Sequence, residues 1–183
     1  KEQVDLTGSG NAFICDGKVV GSSGTFTLTI TMSAGSSWAH SWNGTEYSGQ
    51  LATNPQDQVG GTAEAAGSTT ITATTAGNLA ENDELVVSAV GVNSNINHAS
   101  FAASGYTLNF QEIDGTVNEP AAAGYKILTG TGAGSTTNAV WTWTSGSVFG
   151  EAAAIATYKA AARGIEGKRY GPDRNGMNTN LRR

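Results

Sequence analysis

The sequence predicts an all-β protein, an antiparallel β-sandwich of jelly-roll or Ig-like type, and three observations predict it. Apolar residues alternate with Thr in short runs such as Phe26-Thr27-Leu28-Thr29-Ile30-Thr31-Met32, the period of a strand buried on one face. These runs recur every 8 to 14 residues, separated by Gly, Ser and Asn clusters that suit turns. The composition, with 25 Gly in 183 residues and only 14% charged residues, supplies turn formers and few strong helix formers. Apolar content of 38% still allows a core, because a sandwich strand needs only one apolar face.

In chain order, strands are expected near Ala12 to Cys15, Lys18 to Val20 and Thr25 to Met32, followed by a looser segment from Trp38 to Tyr47. Gly21-Ser22-Ser23-Gly24 supplies a hairpin turn. From Gln50 to Gly67 the chain is Asn, Pro, Gln, Gly and Ala without periodicity and reads as a linker or long surface loop. Thr69 to Thr74 alternates around Ile71, and Glu84 to Val92 is dense enough in Leu and Val for a central strand covered on both faces. Phe101 and the alternating Tyr106-Thr107-Leu108-Asn109-Phe110 come next, then a polar loop from Glu112 to Pro120. Ala139 to Thr144 alternates again, with Trp141 and Trp143 on one face. Ala152-Ala153-Ala154-Ile155-Ala156 suits a helix by propensity, yet its all-β neighbours predict a strand over Ala153 to Tyr158.

The order of elements near the start returns near the end at a spacing of about 112 residues: Leu28 aligns with Trp141 and Tyr47 with Tyr158, offsets of 113 and 111. The first copy lacks its opening strands. The division expected is a partial β-module over 1–60, a complete sandwich module over 61–162 and a basic extended tail over 163–183. A 60-residue module of about four strands does not bury its own core, so it packs on the second module, joins it in one sandwich, or borrows strands from a neighbouring chain. The last option produces a homo-oligomer, such as a trimer.

The formal charge of −5 hides an asymmetry. Residues 1–158 carry three lysines against 13 acids, a net of −10, whereas 159–183 carry seven Lys and Arg against two acids, a net of +5. The acidic body argues against nucleic acid as a ligand. Within the tail, Arg163, Lys168, Arg169, Arg174, Arg182 and Arg183 are candidate interface residues for an acidic neighbour, the alternative being a solvated arm. Cys15 is the one cysteine, so no intrachain disulfide forms, and its Phe13-Ile14-Cys15 setting reads as a small buried strand residue. No run of 18 apolar residues occurs, so no spanning helix and no membrane partner are expected. The chain opens on Lys1 without an initiator Met or signal peptide, which leads us to expect processing or a start inside a longer product.

Chemistry-bearing candidates are few. His40 and His98 have no Cys, Asp or Glu at a metal-ligand spacing and read as surface or packing residues. Glu81, Asp83 and Glu84 could offer oxygens to calcium but lack a calcium-loop pattern, and read as a solvated turn before a strand. Glu112, Asp114 and Glu119 could pair as glycosidase carboxylates, but nothing separates an acid from a nucleophile. Gly130-Thr131-Gly132-Ala133-Gly134 lacks the Gly-Lys-Ser/Thr that completes a phosphate loop and reads as a hairpin loop. Trp141 and Trp143 suit core or interface packing, while Trp38 and Trp42 are candidate glycan contacts by stacking on sugar rings. No catalytic residue, metal ligand or cofactor site is assigned, and the expectation is a protein that is not an enzyme.

A Thr-rich first strand (Thr69 to Thr75), Gly77-Asn78-Leu79 with Asp83-Glu84-Leu85-Val86-Val87, Gly105-Tyr106-Thr107-Leu108, Gly124-Tyr125-Lys126, the Thr/Trp strand and the closing Ala152 to Tyr158 carry a resemblance. This half of the chain resembles the β-sandwich accessory modules of tailed-phage virion proteins, of head decoration, neck or tail fibre type, also seen in bacterial surface proteins. The resemblance implies a non-enzymatic virion structural protein on the virion exterior, a homo-oligomer whose partners are itself and other virion proteins, assembling through β-edges and the basic arm. The alternative is a secreted or cell-surface carbohydrate-binding or adhesive module that contacts a surface glycan through Trp38 and Trp42. The partial first copy and the basic tail depart from a one-module picture.

Overall fold

A computed structural model describes residues 2–6, 10–17, 44–65, 67–94, 100–112, 120–144 and 148–161. Ten strands and no helix occur among them. These are β1 (Glu2–Leu6), β2 (Gly10–Ile14), β3 (Gln56–Ala65), β4 (Thr70–Thr74), β5 (Glu84–Ser94), β6 (Phe101–Ala103), β7 (Thr107–Glu112), β8 (Ala121–Leu128), β9 (Asn138–Trp143) and β10 (Val148–Lys159). All pair antiparallel in three sheets: β1-β2, the five-stranded β3-β10-β5-β8-β7, and the three-stranded β4-β9-β6. The larger sheets face each other as the expected β-sandwich. The β1-β2 hairpin forms a further layer on the other side of the five-stranded sheet, against β10, β3 and β5.

Alternation explains which residues fill the middle. Along β9 the exposed Asn138, Val140 and Thr142 alternate with the buried Ala139, Trp141 and Trp143. β4 does the same, with Ile71 and Ala73 turned inward from three exposed threonines. They meet Val86, Val90 and Val92 of β5, Phe101 and Ala103 of β6, and Ala153 and Ile155 of β10 in the main core. Fully burying a side chain of Val or Ile size stabilises by about 1.5–3 kcal/mol, so this cluster dominates the fold. Trp141 is fully enclosed, and its Nε1–H donates to Ser88 Oγ at 2.9 Å, which in turn donates to Ala154 O at 2.8 Å. No buried polar atom in that chain of bonds is left without a partner.

β5 is central, as its apolar density predicts, with Val86 turned to the sandwich and Leu85 and Val87 turned to the outer layer. β10 is also a strand despite its alanines. Residues 151–158 are all buried because the strand lies between β3 and β5 and is covered on both faces. Ala152 and Ala154 pack under Ala12 and Ile14 of β2, while Ala156 and Tyr158 join Leu85, Val59, Tyr47 and Tyr125. Tyr47 and Tyr158, which the repeat aligns, therefore share one cluster, although Tyr47 lies outside any strand. Its ring meets Tyr125 edge-on at 5.4 Å.

Four expectations require correction. The stretch 50–67, read as a loop, contains the ten-residue β3, and residues 60 and 61 lie inside it. As an edge strand it needs no large apolar side chain at each inward place; instead Gly60 lets its backbone approach β4, where a Cβ would collide with the Thr74 carbonyl oxygen. Cys15 is exposed, because β2 ends at Ile14 and its outward parity is shared with the half-exposed Phe13. Leu108 and Phe110 do not share a face: a register shift between them leaves Leu108 opposite Gly124 and against the main core, and Phe110 opposite Ala123 on the other side. The glycine run 130–134 is not a hairpin loop, since it carries the chain from β8 in one sheet to β9 in the other. The segments Lys18 to Val20 and Thr25 to Met32 lie outside the described residues.

Candidate functional site

At one end of the sandwich, three pieces of chain come together: the start of β3, the turn 76–83 that leads into β5, and the glycine run between β8 and β9. The glycine run is stitched to the turn by its own backbone. Gly130 N–H donates to Asp83 Oδ1 at 2.6 Å, Gly132 N–H to Asn82 O at 3.1 Å, Ala133 N–H to Asn82 Oδ1 at 3.2 Å and Gly134 N–H to Leu79 O at 2.9 Å. Leu79 N–H returns a bond to Ser135 O at 2.9 Å, and Leu79 and Ala133 form a parallel bridge. Gly132 is required for this closeness, because a Cβ there would press on the carbonyl oxygens of Glu81 and Asn82. The N–H groups that a phosphate loop would offer to an anion are thus occupied by the protein's own Asp83 and Asn82.

Behind the turn sits a pair of carboxylates. Glu84, the first residue of β5, is fully buried, which corrects the expectation of a solvated turn. Its Oε1 accepts the Glu81 N–H at 3.2 Å, and its Oε2 has no hydrogen-bond partner. Asp57 of β3 stands within hydrogen-bonding reach of it, and Asp57 Oδ2 accepts the Ala80 N–H at 2.7 Å. A β-bulge brings Asp57 here: β10 advances from Ala156 to Tyr158 while β3 advances from Val59 to Gln56, so Asp57 and Gln58 both turn inward. Gln58 N–H donates to Thr157 Oγ1 of β10 at 3.1 Å, and the Thr157 hydroxyl stands close to Glu84. Burial above all pushes the Glu84 carboxyl up to about 7; the Asp57 charge adds to the rise, and Thr157 and the Glu81 N–H oppose it.

A second acid pair lies toward the other end of the same face. Glu151 of β10 is fully buried opposite Glu64 of β3, and neither of its carboxylate oxygens has a hydrogen-bond partner. Burial first, and the Glu64 charge second, push Glu151 up to about 7. Trp143 Nε1 is a further buried polar atom without a partner.

Of the residues singled out in the sequence, the structure joins Asp83 to the glycine run, buries Glu84 behind the turn and places Trp141 and Trp143 in the core. Glu112 ends β7 half-buried. Among the described residues no group of three or more His, Cys, Asp or Glu is arranged to hold a metal ion, and no helix is long and apolar enough to cross a membrane. Trp38, Trp42, His40, His98, Asp114, Glu119 and the tail residues Arg163, Lys168, Arg169, Arg174, Arg182 and Arg183 lie outside the described residues. Asp57, Glu64, Ser88 and Glu151 escaped the sequence reading. Glu151 alone had a signal, a carboxylate interrupting an apolar run. No family model matches this chain, and neither a curated protein nor a solved structure matches it.

Proposed function

We propose that the chain is a non-enzymatic structural component of a tailed-phage virion, a capsid decoration or cement protein or a neck or fibre component, that works as a homo-oligomer on the particle exterior. The observation that supports this reading is the wiring of the sandwich. Counting β3 as the first of eight strands, the sheets run first-eighth-third-sixth-fifth and second-seventh-fourth. We read this as a variant of the jelly roll, an eight-stranded architecture of two Greek keys that recurs in viral capsid domains, with the fifth strand lying beside the sixth in the larger sheet. The inference from fold to role is one of analogy. The charge division adds to it, since the tail 163–183, with six Lys and Arg against two acids for a net of +4, complements the acidic body of a neighbouring copy. Assembly through β-edges would use the ends of the five-stranded sheet, β3 and β7.

Light scattering at several concentrations, on the full chain and on a chain ending at Ala162, tests the proposal. A trimer or larger ring that loosens without the tail is expected. A monomer in both forms at every concentration overturns it. Jelly rolls also serve as lectin domains, so that outcome favours a carbohydrate-binding module. Binding on a glycan array that is lost in Trp38→Ala or Trp42→Ala then establishes the second reading.

A further inference from the structure

The bulge that turns Asp57 inward has no evident packing role, since it carries a carboxylate toward another carboxylate that is already fully buried. Two carboxylates in hydrogen-bonding contact do not both ionise; one proton shared between them turns repulsion into a hydrogen bond. The surroundings leave a place for it. Glu84 Oε1 and Asp57 Oδ2 each accept a backbone N–H from the same turn, from Glu81 and Ala80, while Glu84 Oε2 has no hydrogen-bond partner.

We propose that Glu84 carries a proton and donates it to Asp57, forming a clasp between β3 and β5 that holds the turn 79–83 closed and releases it when the proton leaves. The remaining groups around Glu84 do not replace the proton. Thr157, from β10, is neutral, and Lys159, the register partner of Glu84 on that strand, leaves Glu84 Oε2 without a hydrogen-bond partner. On β8 its register partner is the apolar Leu128, and the nearest cation along that strand, Lys126, gives its Nζ to Asn138 O at 3.0 Å and lies 4.9 Å above the Tyr106 ring. Within the turn, Asp83 accepts from Gly130 and the Glu81 carboxylate is exposed.

Release therefore travels along a defined path. Ionised Glu84 repels Asp57, the Ala80 and Glu81 N–H groups lose their acceptors, and the Gly130 to Ser135 run, stitched to residues 79–83, loosens with them. The end of the sandwich is closed in acid and loosened in mild alkali, while the middle of the β5-β10 ladder is untouched. The device does not depend on the virion reading.

Hydrogen exchange of the full chain from pH 5.5 to 8.5, corrected for the intrinsic rate, reads this by amide. Protection of Ala80, Glu81, Gly130 and Gly134 is expected to fall by about tenfold or more across that range, in excess of any fall at Ala89 and Ala153, which report the stability of the whole fold. In Glu84→Gln the side-chain amide still donates to Asp57, so the clasp stays closed and the pH dependence disappears. Asp57→Asn removes the repelling charge and moves the midpoint to lower pH, which keeps the test decisive should the first variant fail to fold. Protection that is independent of pH in the unaltered chain overturns the proposal, as does a midpoint that persists unmoved in both variants.

Discussion

The two faces of β10 are held by different means. Its sandwich face presents Glu151, Ala153, Ile155 and Thr157 to Trp141 and the valines of β5, mixing large apolar contacts with buried carboxyls and a hydroxyl. Its outer face presents Ala152, Ala154 and Ala156 to the N-terminal hairpin and β3, with Tyr158 closing the row. One face relies on volume and the other on closeness: alanines let a second layer approach where Val or Leu would hold it away. The acid pairs occur only on the first face. Their neighbours come from β3, whose bulge and edge position place Asp57 and Glu64 beside β5 and β10.

The comparison is broken most strongly on the sandwich face. Trp141→Ala removes the largest fully buried side chain and leaves Ser88 Oγ without its donor. A loss of about 4–5 kcal/mol is expected for a cavity of this kind. Urea unfolding at fixed pH measures it, and a loss below about 1 kcal/mol would mean that the face tolerates repacking. On the outer face the informative change runs the other way. Ala154→Leu adds volume where Ala12 and Ile14 already touch, and a destabilisation of about 3 kcal/mol is expected from overpacking. Were the hairpin a loosely laid cover, the same leucine would cost nothing or stabilise, and the distinction between the faces would fall.

Strands announced by alternation or by apolar density were legible in the sequence: β4 and β9 follow from the alternation around Ile71 and the Trp141-Thr142-Trp143 triplet, and β5 from the dense Leu and Val of 85–92. β10 was legible only through its neighbours, because an alanine row is also good helix. What alternation does not encode is a break in register. The bulge at Asp57-Gln58 and the shift between Leu108 and Phe110 each turn residues to the face opposite the one that counting assigns. The same limit hid the acid pairs. Asp57 and Glu84 are brought together by that bulge, and Glu64 and Glu151 by a register between the third and the last strand. The sandwich wiring was illegible for a related reason: the glycine run that crosses between sheets has the composition of any tight turn.

Glu151 sharpens the contrast between a carboxyl that has been given a clasp and one that has not. Both it and Glu84 are pushed up to about 7. Both therefore bind a proton more tightly in the folded chain than in the unfolded one, where an ordinary carboxyl releases it near 4.5. Between those values the folded state holds more protons, so stability is greatest in acid and is lost as pH rises through 7. In the closed state Glu84 has a backbone N–H on its Oε1 and the Thr157 hydroxyl beside it, whereas neither carboxylate oxygen of Glu151 has a hydrogen-bond partner. Glu151→Gln preserves the shape and removes the charge. At pH 5 it should leave stability nearly unchanged, because it replaces a neutral acid by a neutral amide. At pH 8 it should stabilise by about 1 kcal/mol, the lower end of what an unpartnered buried polar group costs. Thermal unfolding of both chains across pH 5 to 8 gives the answer. Equal slopes for the two would show that Glu151 is not the group whose ionisation loosens the sandwich face, and would leave Glu84 to account for the whole dependence.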